Sequence, residues 1–457
     1  MDTFAPAERL HRLVKEALDR GTVASIEEAE ARFARYRLVL ETDVNAIANP
    51  VHQATLLTAV ALGHRVFLGG VFVHLEGDAH RLPPLPLART LSKAVVQLGG
   101  QIVTESLPDS LPHVHIGGSS RARTRPFEIR TLCFGWRGGI VPVDLPDERD
   151  GQTLVLAGML AAGLAVNEAF LYVRHETGLA GERSVGLSLW DLHPELDWLN
   201  APVTEPVLAL LPARLWMLGL GHLGQAFLWA LGLLPYAEPN ALELVLQDID
   251  IITPSTESTS ILSDGPLVNQ KKTRAMAAWA EARGFSTSIQ ERRFAEGFHR
   301  QDDEPSILLC GLDNALGRRA LDSAGFEFVV EAGLGRGYQD FRTLRLHTLP
   351  ASRSAAEIWP VIVDSPRAIA APAYTKLLRD GVLDRCGMTL LAGKAVGAPF
   401  VGAVAATLVI AEVLRLLHDG PLLQLLDLDL EWPEHRAIVS QRHDFSRLNP
   451  GFLGAAA

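Results

Sequence analysis

The run LWMLGLGHLGQ constrains this chain more than any other stretch, because an apolar strand-like Leu-Trp-Met-Leu runs straight into Gly219, Gly221 and Gly224. An equally apolar, helix-like AFLWALGLL follows. A strand, a glycine turn and a helix in that order leave backbone amides free of Cβ shielding at a helix N-terminus, where they can face phosphate oxygens. The motif alone is weak, and an acid must follow at the end of a second strand. LELVLQDID supplies it about thirty residues on, with Asp248 placed for a ribose hydroxyl and Asp250 beside it. To this point the pattern also suits a nicotinamide-dependent oxidoreductase.

The residues that follow favour different chemistry. A polar stretch, ITPSTESTSIL, leads to Lys271 and Lys272 at the head of a helical segment, and then strand-like SILLCGL delivers Asp313, Asn314 and Arg318. Hydride transfer needs neither a cation at the phosphates nor a further carboxylate facing them. Attack of a carboxylate on ATP needs both: a Lys to stabilise the α-phosphate in the transition state, and an Asp to hold magnesium.

In this order the residues resemble the family of ubiquitin-activating enzymes and their bacterial ThiF–MoeB-like relatives, which adenylate sulfur-carrier proteins. The resemblance implies that Gly219, Gly221 and Gly224 cradle ATP, Asp248 holds the ribose, and Asp250 is the second acid. It further implies that Lys272 rather than Lys271 faces the phosphates, that Asp313 holds Mg2+, and that Asn314 and Arg318 complete the nucleotide site. Ser255 keeps the family serine. Thr256, Thr259 and Ser260 stand where the family carries Asn, Arg and Gln, so one phosphate-binding guanidinium is missing, and a Thr hydroxyl cannot replace its fork.

Length and charge narrow the setting. A chain of 457 residues with a 48% hydrophobic fraction has enough material for two domains. No apolar stretch reaches the roughly 18 to 20 residues of a membrane span, and the acidic, helical N-terminal segment is no signal peptide, so a cytoplasmic protein is expected. A formal charge of -11 disfavours nucleic acid or anionic membrane as partner. Cys133, Cys310 and Cys386 are too scattered for a disulfide framework or a four-Cys site, and the 15 histidines show no paired ligand spacing, so no structural zinc is expected.

The chain also looks doubled. GMLAAGLAVNEAFLYV (158–173) and GAVAATLVIAEVLRLL (402–417) share a glycine start and an acid ten positions later, Glu168 and Glu412. The expected fold is α/β: two related doubly wound Rossmann-like, ThiF-type adenylation domains in tandem, the first inactive because it has no glycine loop followed by acid, Lys and Asp-Asn. The expected division is residues 1–205 and 206–457, a pseudo-dimer within one chain.

Two further roles follow from the resemblance. Arg32, Phe33 and Arg35 in ARFARYRLVL match an entry segment that crosses between halves in the family, making Arg35 the candidate finger to the ATP γ-phosphate. Cys386 lies beyond a crossover over 346–380 and just ahead of the late helix. That is where family members keep a nucleophilic Cys, and Arg385 and Lys394 lie nearby to lower its pKa. The expected function is ATP-dependent activation of a ubiquitin-like protein: adenylation of its C-terminal carboxylate, thioester formation on Cys386, and transfer to a conjugating enzyme. The layout resembles the activating enzymes of bacterial ubiquitin-like conjugation operons used against phage. The alternatives are a sulfur-carrier-type adenylyltransferase without a thioester, a scaffold without activity, and the oxidoreductase.

Overall fold

In the second half, alternate residues of one strand feed two different cores, which is the mark of a sheet covered on both faces. Leu215 and Met217 point into the main core shared with the first half, while Trp216 and Leu218 point into a second one with Leu308, Cys310 and Val329. The computed structural model describes residues 4–146, 149, 152–360, 371–381 and 385–456, not including the side chains of Arg385 and Cys386.

The chain opens with α1 (Pro6–Arg9), α2 (Lys15–Asp19) and α3 (Ile26–Phe33). The first sheet then comprises β1 (Leu38–Thr42), β2 (Val71–Leu75), β3 (Gln101–Ile102), β4 (His113–His115), β5 (Glu128–Phe134), β6 (Arg137–Pro142) and β7 (Val185–Ser188). Its helices are α4 (Val44–Ala48), α5 (Pro50–Gly63), α6 (Leu91–Gln97) and α7 (Val155–Val173). After β8 (Leu210–Pro212), the second sheet runs through β9 (Arg214–Leu218), β10 (Glu243–Gln247), β11 (Ser286–Gln290), β12 (Ile307–Cys310), β13 (Phe328–Leu334), β14 (Thr343–Leu349), β15 (Leu423–Asp429) and β16 (Ala437–Ser440). The helices of this half are α8 (His222–Leu233), α9 (Pro254–Glu257), α10 (Lys272–Arg283), α11 (Ala315–Arg319), α12 (Ala355–Ile358), α13 (Pro372–Arg379), α14 (Arg385–Gly393) and α15 (Pro399–Leu417). A last strand, β17 (Phe452–Gly454), pairs with β8.

The strand order is β3-β2-β1-β4-β5-β6-β7 in the first sheet and β11-β10-β9-β12-β13-β14-β15-β16 in the second. Each has five parallel strands followed by antiparallel ones. Superposed strand by strand, β1 answers to β9, β4 to β12 and β5 to β13, so the doubling expected from the two late helices extends through the whole topology. Both halves reverse strand order at the same place, the crevice where such sheets bind ligands.

The late helices α7 and α15 pack on each other and form the centre of the molecule, with Phe170 and Phe400 at 5.9 Å. A Cβ on Gly163 would stand 2.8 Å from Val404, so a small residue is what lets the two helices close. The sequence expectation on apolar length is corrected here. Both helices have 19 residues and are apolar enough to cross a membrane, but 89% of each apolar window is buried within the protein, as core helices are. Their repeated acids are buried as well: Glu168 pairs with Arg183, and Glu412 pairs with Arg415 and accepts from the Leu423 amide.

Candidate active site

The glycine turn after β9 owes its shape to contacts that a side chain would break. Gly219 has φ +84, the left-handed region. A Cβ on Gly224 would lie 2.1 Å from the Gly219 carbonyl oxygen. Gly221 caps α8, and a Cβ there would point toward Lys272 Nζ at 4.0 Å, into the space above the helix N-terminus. That leaves an open, positively polarised end to a 12-residue helix.

Asp248, at the end of β10, ties this turn to the neighbouring strand. Its Oδ2 accepts from the Leu220 amide at 2.7 Å and its Oδ1 from the Asp250 amide at 2.8 Å. Each oxygen keeps a further lone pair for a ribose hydroxyl. Lys272 Nζ lies 3.1 Å from Asp250 Oδ2 and 3.9 Å from Asp248 Oδ2. Lys271 is committed elsewhere, its ammonium donating to the Ile249 carbonyl. The structure thus gives Lys272 the position facing the glycine turn.

Asp313 and Asn314 follow β12. Asp313 is exposed at the sheet end, while Asn314 caps α11, its Oδ1 accepting from the Gly317 amide at 2.6 Å. Arg318, expected at the nucleotide, turns the other way. It pairs with buried Glu331 on β13 at 2.8 Å and donates to the Leu312 carbonyl at 2.6 Å. That places its guanidinium beneath the Asp313 loop, where it balances Glu331, a carboxylate that would otherwise be a stranded charge in the second core.

The crossing arginine was expected at Arg35. Arg35 is exposed on the turn before β1, two residues from the first sheet, and no side-chain hydrogen bond or ion pair of it is present among the described residues. The guanidinium that faces the site belongs to Arg12. The segment from α1 to α2 leaves the first half and packs on α9 and α14, with Leu10, Leu13 and Val14 buried. The Arg12 amide donates to Ser258 Oγ at 3.1 Å and its Nη1 to the Ala395 carbonyl at 3.3 Å. Burial pushes the Arg12 pKa below its usual range, Asp313 opposes that shift, and Arg336 adds to it. A Cβ on Gly397 would stand 3.0 Å from Thr259 Cγ2 and 3.9 Å from Arg12 Cβ, so Arg12 arrives beside the position where the family guanidinium is absent. The signal in the sequence was an Arg between buried Leu10, Leu13 and Val14 on a short helical segment.

The polar stretch after Asp250 is held from both halves. Arg65, at the end of α5, donates to the Glu257 carbonyl at 2.9 Å and the Ser263 carbonyl at 2.7 Å. From the glycine helix, Gln225 bonds Ser263 Oγ at 2.8 Å and the Leu262 amide at 3.0 Å. His222, inside the glycine motif, is wedged against the late helix: a Cβ on Gly402 would lie 2.3 Å from its Nε2.

The corresponding crevice of the first half is filled. Where β1 and β4 end, the His52 ring lies 2.4 Å from the place a Cβ on Gly117 would take. No glycine turn follows β1, because Asp43 caps α4 there instead.

Cys386 is the second residue of α14, and its side chain lies outside the described residues. α14 packs on α1 and α13, and Lys15 Nζ reaches the Ala392 carbonyl at 3.4 Å. The other two thiols are pushed up to about 12, Cys133 by burial and Cys310 by burial and the nearby Glu331 carboxylate.

Comparison with known proteins identifies the family. A model of the BilD N-terminal domain matches residues 37–189, and one of the BilD C-terminal domain matches residues 211–420. The bacterial E1-like protein BilD of Collimonas sp. (strain OK412) is 44% identical over 414 residues, covering 90% of this chain and 89% of that protein. Among solved structures, E. coli MccB is 13% identical with a TM-score of 0.34, covering 69% of this chain and 92% of that one. E. coli tRNA N6-threonylcarbamoyladenosine dehydratase, TcdA, in complex with AMP is 16% identical with a TM-score of 0.28, covering 45% and 86%. The identity to BilD over nine-tenths of the length, with both domain models matched in order, means that this chain belongs to the BilD family of bacterial E1-like proteins.

Proposed function

We propose that this chain activates a ubiquitin-like protein, adenylating its C-terminal carboxylate and then taking it as a thioester on Cys386 for transfer to a conjugating enzyme. The observation that carries the reading is the convergence, at one end of the second sheet, of an open helix N-terminus, Asp248, Lys272 and Asp313 with Arg12 delivered from the N-terminal segment. In the first step a carboxylate oxygen of the ubiquitin-like protein attacks the α-phosphorus of ATP, and the bond to the β-phosphate oxygen breaks, pyrophosphate leaving with the electron pair. Lys272 and Arg12 supply fixed positive charge where charge builds up on the phosphates. Asp248 orients the ribose, and the glycine turn brings amides to the phosphates.

Among the described residues no group of three or more His, Cys, Asp or Glu forms a self-contained metal site. A lone exposed Asp313 instead fits Mg2+ held jointly with ATP phosphates, and the ion would offset charge on the leaving pyrophosphate. In the second step a thiolate attacks the acyl carbon of the adenylate and AMP departs. With the other two thiols raised to about 12, Cys386 is the thiol for this step. The need for ATP and a reduced thiol fits a cytoplasmic protein, and the layout's resemblance to activating enzymes of bacterial conjugation operons used against phage extends the proposal to that setting.

The test is ATP–pyrophosphate exchange driven by a ubiquitin-like protein from the same operon. Asp313→Ala should abolish exchange. Cys386→Ala should leave it intact while removing the thiol-sensitive enzyme–carrier band on a non-reducing gel. Normal exchange in Asp313→Ala would sink the first step, and a persistent band in Cys386→Ala would sink the second.

A further inference from the structure

Behind the Asp313 loop lies a charged group that the adenylation chemistry does not itself require. Glu331 sits mid-strand on β13, 1% exposed, among Trp216, Cys310, Val329 and Leu349. A carboxylate in such a place costs stability unless it is paired. Glu331 Oε1 ion-pairs with Arg318 Nε at 2.8 Å outside hydrogen-bond geometry, and Oε2 meets His347 Nδ1 at 3.2 Å. Arg318 is thereby fixed, and its Nη2 donates to the Leu312 carbonyl at 2.6 Å. That carbonyl belongs to the peptide joining Leu312 to Asp313, so its orientation sets the direction in which Asp313 leaves the sheet.

The other neighbours brace the same node. Trp359 lies 5.2 Å edge-on to His347 and 6.0 Å from the Arg318 guanidinium. Arg319 straps α11 to the Ala356 and Trp359 carbonyls. Gly333 leaves room for the guanidinium, since a Cβ there would stand 3.2 Å from Arg318 Nη2.

We infer that Glu331 is a positioning residue for adenylation, acting through Arg318 and the Leu312 carbonyl to hold Asp313 where Mg2+·ATP needs it. This rests on the proposed function. Second-layer groups behind a metal-binding carboxylate change metal affinity by roughly ten- to a hundred-fold when removed. Glu331→Gln keeps size but removes the charge that fixes Arg318 and turns one acceptor oxygen into a donor. Gly333→Ala alters no charge and displaces the Arg318 guanidinium by steric contact alone.

The measurement is calorimetric binding of a non-hydrolysable ATP analogue across a Mg2+ series, with thermal unfolding recorded for each variant. Glu331→Gln should raise the Mg2+ needed for half-maximal binding roughly ten-fold, and Gly333→Ala should shift it in the same direction by less. Analogue affinity should approach the wild-type value at saturating Mg2+, which a general loss of folding would not allow. Wild-type Mg2+ dependence in both variants overturns the inference, whatever happens to their Tm. If Glu331→Gln does not fold, Gly333→Ala decides alone. If the wild type binds the analogue with Mg2+ but shows no carrier-driven exchange, the proposed function fails, and the same binding comparison still decides the role of Glu331.

Discussion

Replacing Arg12 tests the claim that the two halves share one site. Arg12→Ala removes a half-buried guanidinium that donates to the Ala395 carbonyl at 3.3 Å and faces Asp313. The structural loss is one hydrogen bond from a charged group, about 1.5–3 kcal/mol gross. Burial already opposes the charge at this position, so relief of desolvation returns part of it and the net cost is about 1 kcal/mol. In a chain of this size that lowers Tm by only a few degrees. The catalytic loss is larger, because a preorganised donor at the developing charge contributes about 2.7–4 kcal/mol, or roughly 100- to 1,000-fold in rate. Arg12→Lys should recover part of the exchange rate but not the forked contact. Arg35→Ala should stay within about two-fold of wild type, as an exposed surface change does. Adding Thr259→Arg to Arg12→Ala should restore part of the activity, since Thr259 and the Arg12 Cβ border the same point beside Gly397. The assay is carrier-driven pyrophosphate exchange alongside thermal unfolding. Exchange in Arg12→Ala within three-fold of wild type, or an equal loss in Arg35→Ala, would refute the reasoning.

Two further outcomes follow from groups whose ionisation burial has shifted. With Cys133 and Cys310 raised to about 12, iodoacetamide at pH 8 should label Cys386 alone in the folded protein, and mass-spectrometric detection of Cys310 as the first site would contradict the assignment. His222 is lowered to about 4 by burial, against a backbone hydrogen bond near Pro399 and with a contribution from Arg12. Above the unfolded-state value of about 6.5 neither state carries the proton. As pH falls from there toward 4, the unfolded chain takes it up first, so stability declines through that window. His222→Gln should flatten denaturant midpoints over the same range, and an unchanged slope would mean that His222 is not the group responsible.

The parts of the site that were legible in sequence are those that local sterics impose. A strand must precede Gly219 because the left-handed turn ends it, and Gly224 must be small because the Gly219 carbonyl occupies its Cβ position. Asp248 and Asp313 were legible because each ends an apolar strand, where the crevice of such a sheet opens. The direction of Arg318 was not legible, because a spacing of four residues from a cap says which turn of helix a side chain is on, not which way it points. Its direction is set by Glu331, a buried acid on the next strand that reads as one polar residue in FVVEAGL. The placement of Arg35 was not legible for a similar reason. Its motif spacing is right, but β1 begins at Leu38 and anchors it to the first sheet, whereas only a segment farther upstream can cross.

What the first half contributes is therefore support for a site it does not itself contain. Its own crevice is closed by His52 against Gly117, yet Arg65 from α5 clamps the carbonyls of Glu257 and Ser263, the very stretch in which Thr256, Thr259 and Ser260 replace larger polar groups. Trp229 on the glycine helix donates to Thr58 Oγ1 of α5 at 3.0 Å, so this helix is also referenced to the first half. With α7 and α15 locked at the centre, separating the halves would expose two helices apolar around their whole circumference and loosen the 253–263 stretch together. The second half on its own would keep Lys272 and Asp313 but lose Arg12, Arg65 and the helix that seats α8. The first half supplies, from outside the second domain, the Arg65 clamp and the Arg12 guanidinium beside the stretch that holds Thr256, Thr259 and Ser260.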